Sequence, residues 1–156
     1  MSKDNKHSLI PKISNDYGFQ KLKIKVQDVQ DLEILSSLCQ DGIFAKEEMI
    51  YLKENFKFVA TFSRFCWEFK KAKHFNRNVG FRIVSGLQIN NVELIEYINF
   101  SDKNEFVNLL SINYDKNFIM LNFSLDMIIK IKINQLKMFL EDIDLPWPTY
   151  KKPIHK

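Results

Sequence analysis

The chain has 156 residues, 46% hydrophobic and 13% aromatic, which fits one domain with its own core and excludes a disordered chain. Its formal charge is +4, but the cations responsible lie near the two ends: Lys3, Lys6 and Lys12, then Lys151, Lys152 and Lys156. Residues 21–144 balance to neutrality, so net charge alone does not select a polyanionic partner.

Residues 1–19 read as a polar, flexible N-terminal tail broken by Pro11 and Gly18, without the apolar stretch of a secretion signal. Residues 20–145 read as a single α+β domain, and residues 146–156 as a basic C-terminal tail. No apolar run approaches the roughly 18 residues of a membrane span, so no membrane partner is expected. Cys39 and Cys66 form no CxxC and sit among apolar neighbours, which suits buried thiols in a reducing cytoplasm.

In chain order, residues 21–26 (KLKIKV) alternate charged and apolar side chains, the pattern of a half-buried strand. Asp28, with Asp31 three residues on, opens a helix whose apolar stripe is Leu32, Leu35 and Cys39; Gly42 ends it. Residues 49–52 and 56–65 read as a hairpin turning at Glu54-Asn55, with Phe56, Phe58, Ala60 and Phe62 on one face. A charged loop follows at 70–78. Residues 80–87 and 89–100 read as a second strand pair turning near Asn90-Asn91. Residues 106–114, 118–124 and 127–133 give three more strands, with turns at Asp115-Lys116-Asn117 and Ser124-Leu125-Asp126. Ile129, Ile131 and Ile133 face inward in the last of them, and Lys130 and Lys132 face water.

Asn134 then reads as the N-cap of a C-terminal helix, because Leu136, Phe139, Leu140 and Ile143 recur at helical spacing before Pro146. About seven antiparallel strands between an N-terminal and a C-terminal helix favour a barrel like that of pleckstrin-homology domains. An antiparallel sheet layered with two helices is the alternative.

Four segments carry a resemblance: 28–41 (DVQDLEILSSLCQD), 64–68 (RFCWE), 82–87 (RIVSGL) and 147–155 (WPTYKKPIH). In order and spacing they resemble an uncharacterised, typically alphaproteobacterial family, domain of unknown function 2948, from about Lys21 to His155. The resemblance implies a bacterial cytosolic protein and brings no reaction, ligand or partner with it. Cys66 stands where members of that family often have Asp.

Local motifs for chemistry are missing. His7, His74 and His155 are not spaced as metal ligands, and Gly18, Gly42, Gly80 and Gly86 stand apart, so no phosphate loop exists. No cofactor is expected. Cys66 reads as a core filler, and Glu47-Glu48 and Glu141-Asp142 read as solvated charge, because adjacent side chains do not converge on one substrate.

One constellation stands out: Arg64, Glu68, Lys70, Lys71, Lys73, Arg77 and Arg82 bracket a segment holding Trp67, Phe69, Phe75 and Phe81. Cations beside rings suit single strands of nucleic acid or an acidic peptide; the plain reading is a core of rings, solvated lysines and an Arg64–Glu68 pair. Trp67 reads as a core anchor, and Trp147 either packs back on the domain or anchors a partner. Together these features favour a non-enzymatic, protein-binding module. An RNA- or single-stranded nucleic-acid-binding accessory protein comes next, and an enzyme with no local motif last.

Overall fold

A computed structural model describes residues 20–68 and 80–149 of the chain. In chain order its elements are β1 (Lys23–Val26), α1 (Val29–Cys39), β2 (Ile43–Leu52), β3 (Lys57–Phe65), β4 (Gly80–Ile89) and β5 (Val92–Ile98). These are followed by β6 (Phe106–Asp115), β7 (Phe118–Phe123), β8 (Ile128–Ile133), β9 (Met138–Asp142) and β10 (Trp147–Thr149). The strands form one 10-stranded antiparallel sheet in the order β1-β9-β4-β3-β2-β6-β7-β8-β5, with β10 beside the start of β4. The α+β barrel closed by a C-terminal helix is therefore overturned: the sheet is open, and α1 is the one α-helix among the described residues.

The stretch expected to be that helix is β9, hydrogen-bonded to β1 on one side and β4 on the other. Leu136, Met138, Leu140 and Asp142 all point inward at period two, while Phe139 and Glu141 point out. Leu136 and Leu140 satisfy a helical and a strand pattern equally; two ladder partners decide for the strand. A second correction concerns Asn90-Asn91. Asn91 does adopt a left-handed φ of 59°, but β4 and β5 are not a hairpin: β4 pairs with β3 and β9, and β5 with β8.

Elsewhere the local chemistry explains the elements. Asp28 Oδ1 accepts from the Asp31 backbone N–H at 2.8 Å, and the apolar stripe of α1, Leu32, Leu35 and Cys39, is buried. Ser36 of α1 accepts from the Ile112 N–H at 2.9 Å, beside the register shift that bends β6. Lys116 and Asn117 take φ of 50° and 70°, the paired left-handed residues of a tight hairpin turn between β6 and β7. Phe56, expected on the inward face of β3, instead sits in the turn before it with φ 56° and is 61% exposed.

The core is one cluster built from the inward side chains of the strands and α1, among them Phe44, Phe58, Leu87, Leu121, Ile131 and Leu140. Packing around Gly80 is equally close: a Cβ there would stand 2.6 Å from the Phe65 ring, itself buried. Gly80→Ala is expected to destabilise by about 1–3 kcal/mol through overpacking. A thermal midpoint equal to wild type would show that the ring yields freely.

The sheet also rolls upon itself. β2 pairs with β6 through Ile43–Ala45, and beyond Phe44 its register against β3 shifts until Met49. β5 approaches the region of β2 at its ends: at one, Val92 N–H donates to the carbonyl of Phe56, in the turn after β2, at 2.9 Å. At the other end the Lys46 ammonium donates to the Ser101 carbonyl and lies 5.4 Å from the Phe100 ring centre. No ladder joins β2 to β5 among the described residues, so the roll stays open along that seam.

Candidate functional site

The basic-aromatic end singled out by the sequence is held by ion pairs and rings. Arg64, on β3, is fully buried and grips two carboxylates. Its Nε and Nη2 donate to Asp142 Oδ1 and Oδ2 at 3.0 and 2.9 Å, and its Nη1 and Nη2 donate to Glu68 Oε1 and Oε2 at 2.9 and 2.7 Å. Ser85 Oγ donates to Asp142 Oδ1 at 2.6 Å, and the Leu22 N–H donates to Oδ2 at 2.8 Å. Burial alone would lower the Arg64 pKa; hydrogen bonds to Glu68 and Asp142 outweigh it and hold the guanidinium above its ordinary value. This network ties β3, β4, β9 and the chain entering β1 together. Asp142, read from sequence as solvated charge, is instead 3% exposed; its role lay hidden because Arg64 is 78 residues away.

Around it, Trp67 Nε1 donates to the Gln40 carbonyl at 2.8 Å, and its ring meets Phe65 edge-on at 4.6 Å between centroids. Arg82 lies 5.6 Å from the centre of the Phe65 ring, and its Nη1 donates to the carbonyls of Asp41 and Ser63 at 3.2 and 3.1 Å. Desolvation lowers the Arg82 pKa, with Asp41 opposing. Trp147 is 38% exposed on β10, in register with Arg82. Lys70, Lys71, Lys73 and Arg77 lie outside the described residues, as do all three histidines. Cys39 and Cys66 are buried free thiols whose pKa burial pushes up to about 12, so neither is a ready nucleophile. Among the described residues no three His, Cys, Asp or Glu side chains come together as a metal site.

A different surface has the shape of a site. On the outer face of β2, β3, β4 and β9 runs a trough of about 540 Å³. Its floor is Gly86 with Val59 and Phe139; its apolar walls are Ile50 and Ile143, 48% and 47% exposed. Glu47 and Glu48 stand on the β2 side and Glu141 on the β9 side; among the described residues no Lys or Arg lines it. Thr61 donates to Glu48 from the floor. Lys23 of β1, in register with Glu141, lies one strand beyond on that edge, so the acidic character is strongest toward β2. Gly86 keeps the middle low: a Cβ there would meet Ile143 Cδ1 at 3.6 Å, ordinary contact that takes up free space.

Sequence reading missed this trough because Ile50 and Ile143 occupy outward positions, where apolar side chains look like noise. The available signal was an apolar residue on the polar phase of two strands that become neighbours only through β3 and β4. Such a surface offers apolar contact, carboxylates and a hydroxyl. It has the volume of a ligand site.

No curated protein and no solved structure matches the chain. A family model does match, over residues 22–155. That span covers most of the chain, which therefore belongs to the family described as protein of unknown function (DUF2948).

Proposed function

We propose that this domain is a non-enzymatic protein-binding module of the cytoplasm, and that its outer trough takes a partner segment bearing a basic residue beside an apolar one. The observation that carries the reading is the lining itself: three glutamates, two half-exposed isoleucines and, among the described residues, no cation. A partner covering Ile50 and Ile143 gains about 1 kcal/mol or more from each, since roughly half of each side chain remains to be buried. A lysine or arginine opposite Glu47 and Glu48 adds register and a faster encounter more than raw affinity. The buried, unpaired thiols support a reducing compartment.

The test is a binding titration with dye-labelled peptides, one mixing leucine with lysine and one leucine with glutamate, beside a single-stranded oligonucleotide. The lysine peptide is expected to bind and the glutamate peptide to fail. Ile143→Asp should weaken the complex about tenfold or more while leaving the stability within about 1 kcal/mol of wild type, because the side chain is outside the core. Glu48→Gln with Glu141→Gln should weaken it and flatten its salt dependence. Binding of the oligonucleotide alone, falling steeply with salt, would overturn the reading in favour of the basic-aromatic end.

A further inference from the structure

The seam between β2 and β5 offers a different kind of contact. Residues 49–52 pair with β3 along one edge and β5 pairs with β8 along one edge, and among the described residues no ladder forms on the opposite edges. The other two edges border the seam, and no backbone hydrogen bond crosses between residues 47–52 and β5. The side chains agree. Tyr51 is in register with buried Phe58, and Tyr97 with buried Ile129, so both point to the inner side. Yet Tyr97 is 47% exposed, and Met49, Tyr51 and Ile95 are only partly buried against the core. On β7 and β8 the inward residues are 2% exposed or less. The core is therefore incomplete along this line.

We infer that the seam receives an extended segment of a partner protein, alternately apolar and basic, as an added strand between residues 47–52 and β5. The inward residues of such a strand would cover Met49, Tyr51, Ile95 and Tyr97. Its outward residues would lie between Glu48 on β2, which accepts from Thr61, and Glu96 on β5, which has Lys130 opposite it on β8; both carboxylates are exposed, so lysine or arginine fits between them by cross-strand charge pairing. Its backbone would use both free edges, as in β-strand addition. The exposed end of β1 is a poorer acceptor: it is four residues long and carries Lys23 and Lys25, features that blunt an edge. The seam goes beyond the trough reading, because it binds through backbone edges rather than the outer sheet face.

The experiment is hydrogen exchange on the full chain with and without a short peptide alternating valine and lysine. The same peptide N-methylated at successive valines serves as control, since it keeps the side chains and loses the backbone donors. Added protection is expected in residues 47–52 and 93–98, with at least tenfold weaker binding of the methylated form. Glu96→Lys should remove the added protection in these residues, and Ile143→Asp, which disables the trough, should leave that protection in place, which separates the seam from the trough. Loss of binding on Ile143→Asp, or protection confined to the trough strands, would overturn the inference. So would seam amides already protected without peptide, whether the protein sediments as a dimer (a second copy fills the seam) or as a monomer (the chain fills it itself).

Discussion

Arg64→Ala is expected to lose roughly 3–5 kcal/mol of stability and to lower the thermal midpoint by about 10 °C or more. The side chain makes five charge-assisted or backbone hydrogen bonds from a site with no solvent exposure. Truncation removes these and leaves the Asp142 carboxylate buried with only the Ser85 hydroxyl and the Leu22 N–H. An uncompensated buried charge costs more than the pair contributed, so the loss exceeds what any surface ion pair would give. Asp142→Ala should cost less, because Arg64 keeps its two hydrogen bonds to Glu68. Glu68→Gln should cost about 1 kcal/mol, because Glu68 is 28% exposed and water can replace part of its role. Replacing both buried partners, Arg64→Met with Asp142→Leu, should recover much of the loss. Urea midpoints of the four variants decide it. A loss below about 1 kcal/mol in Arg64→Ala would mean that the network does not hold the strands together.

That network also shows where the sequence was readable. The Arg64–Glu68 pair is local, four residues apart, and was visible; Asp142 was not, because only the folded sheet brings β9 beside β4 and within reach of β3. The same placement hid the strand character of β9. An inward Asp interrupts the apolar alternation, and a helical pattern then fits Leu136, Phe139, Leu140 and Ile143 better than a strand does. By contrast α1, the β6–β7 hairpin and β8 rest on signals confined to a few residues: a capping aspartate, paired left-handed turn residues and an isoleucine-lysine alternation. Asn90-Asn91 marked a real turn, but a turn does not state which strands it joins. The candidate surfaces were least legible of all. The trough draws its lining from four strands and the seam from edges without a ladder among the described residues, and neither property is local in sequence.

Raising the pH from about 8 to about 11 is expected to destabilise the protein through its two thiols. Burial, with Arg64 opposing, pushes Cys39 up to about 12 from an ordinary 9.0, and Cys66 rises to about 12 for the same leading reason. The unfolded chain releases these protons near pH 9, whereas the folded chain keeps them until about pH 12. Between those values the unfolded state binds fewer protons, so stability falls as pH rises; below pH 9 the contribution is complete. By about pH 11 the loss is on the order of 2–3 kcal/mol per thiol. Lysine and tyrosine titration adds a background that a Cys39→Ala, Cys66→Ala variant shares, so the thiol effect is the difference between two urea-midpoint profiles across this range. The double variant starts lower at neutral pH, because two small core side chains are truncated, and its curve should then run flatter. Parallel profiles would place the thiols in contact with water, and rapid alkylation of the native protein would say the same. Slow alkylation that tracks unfolding is the expected result, because a thiol that stays protonated and covered reacts only when the strands around it open.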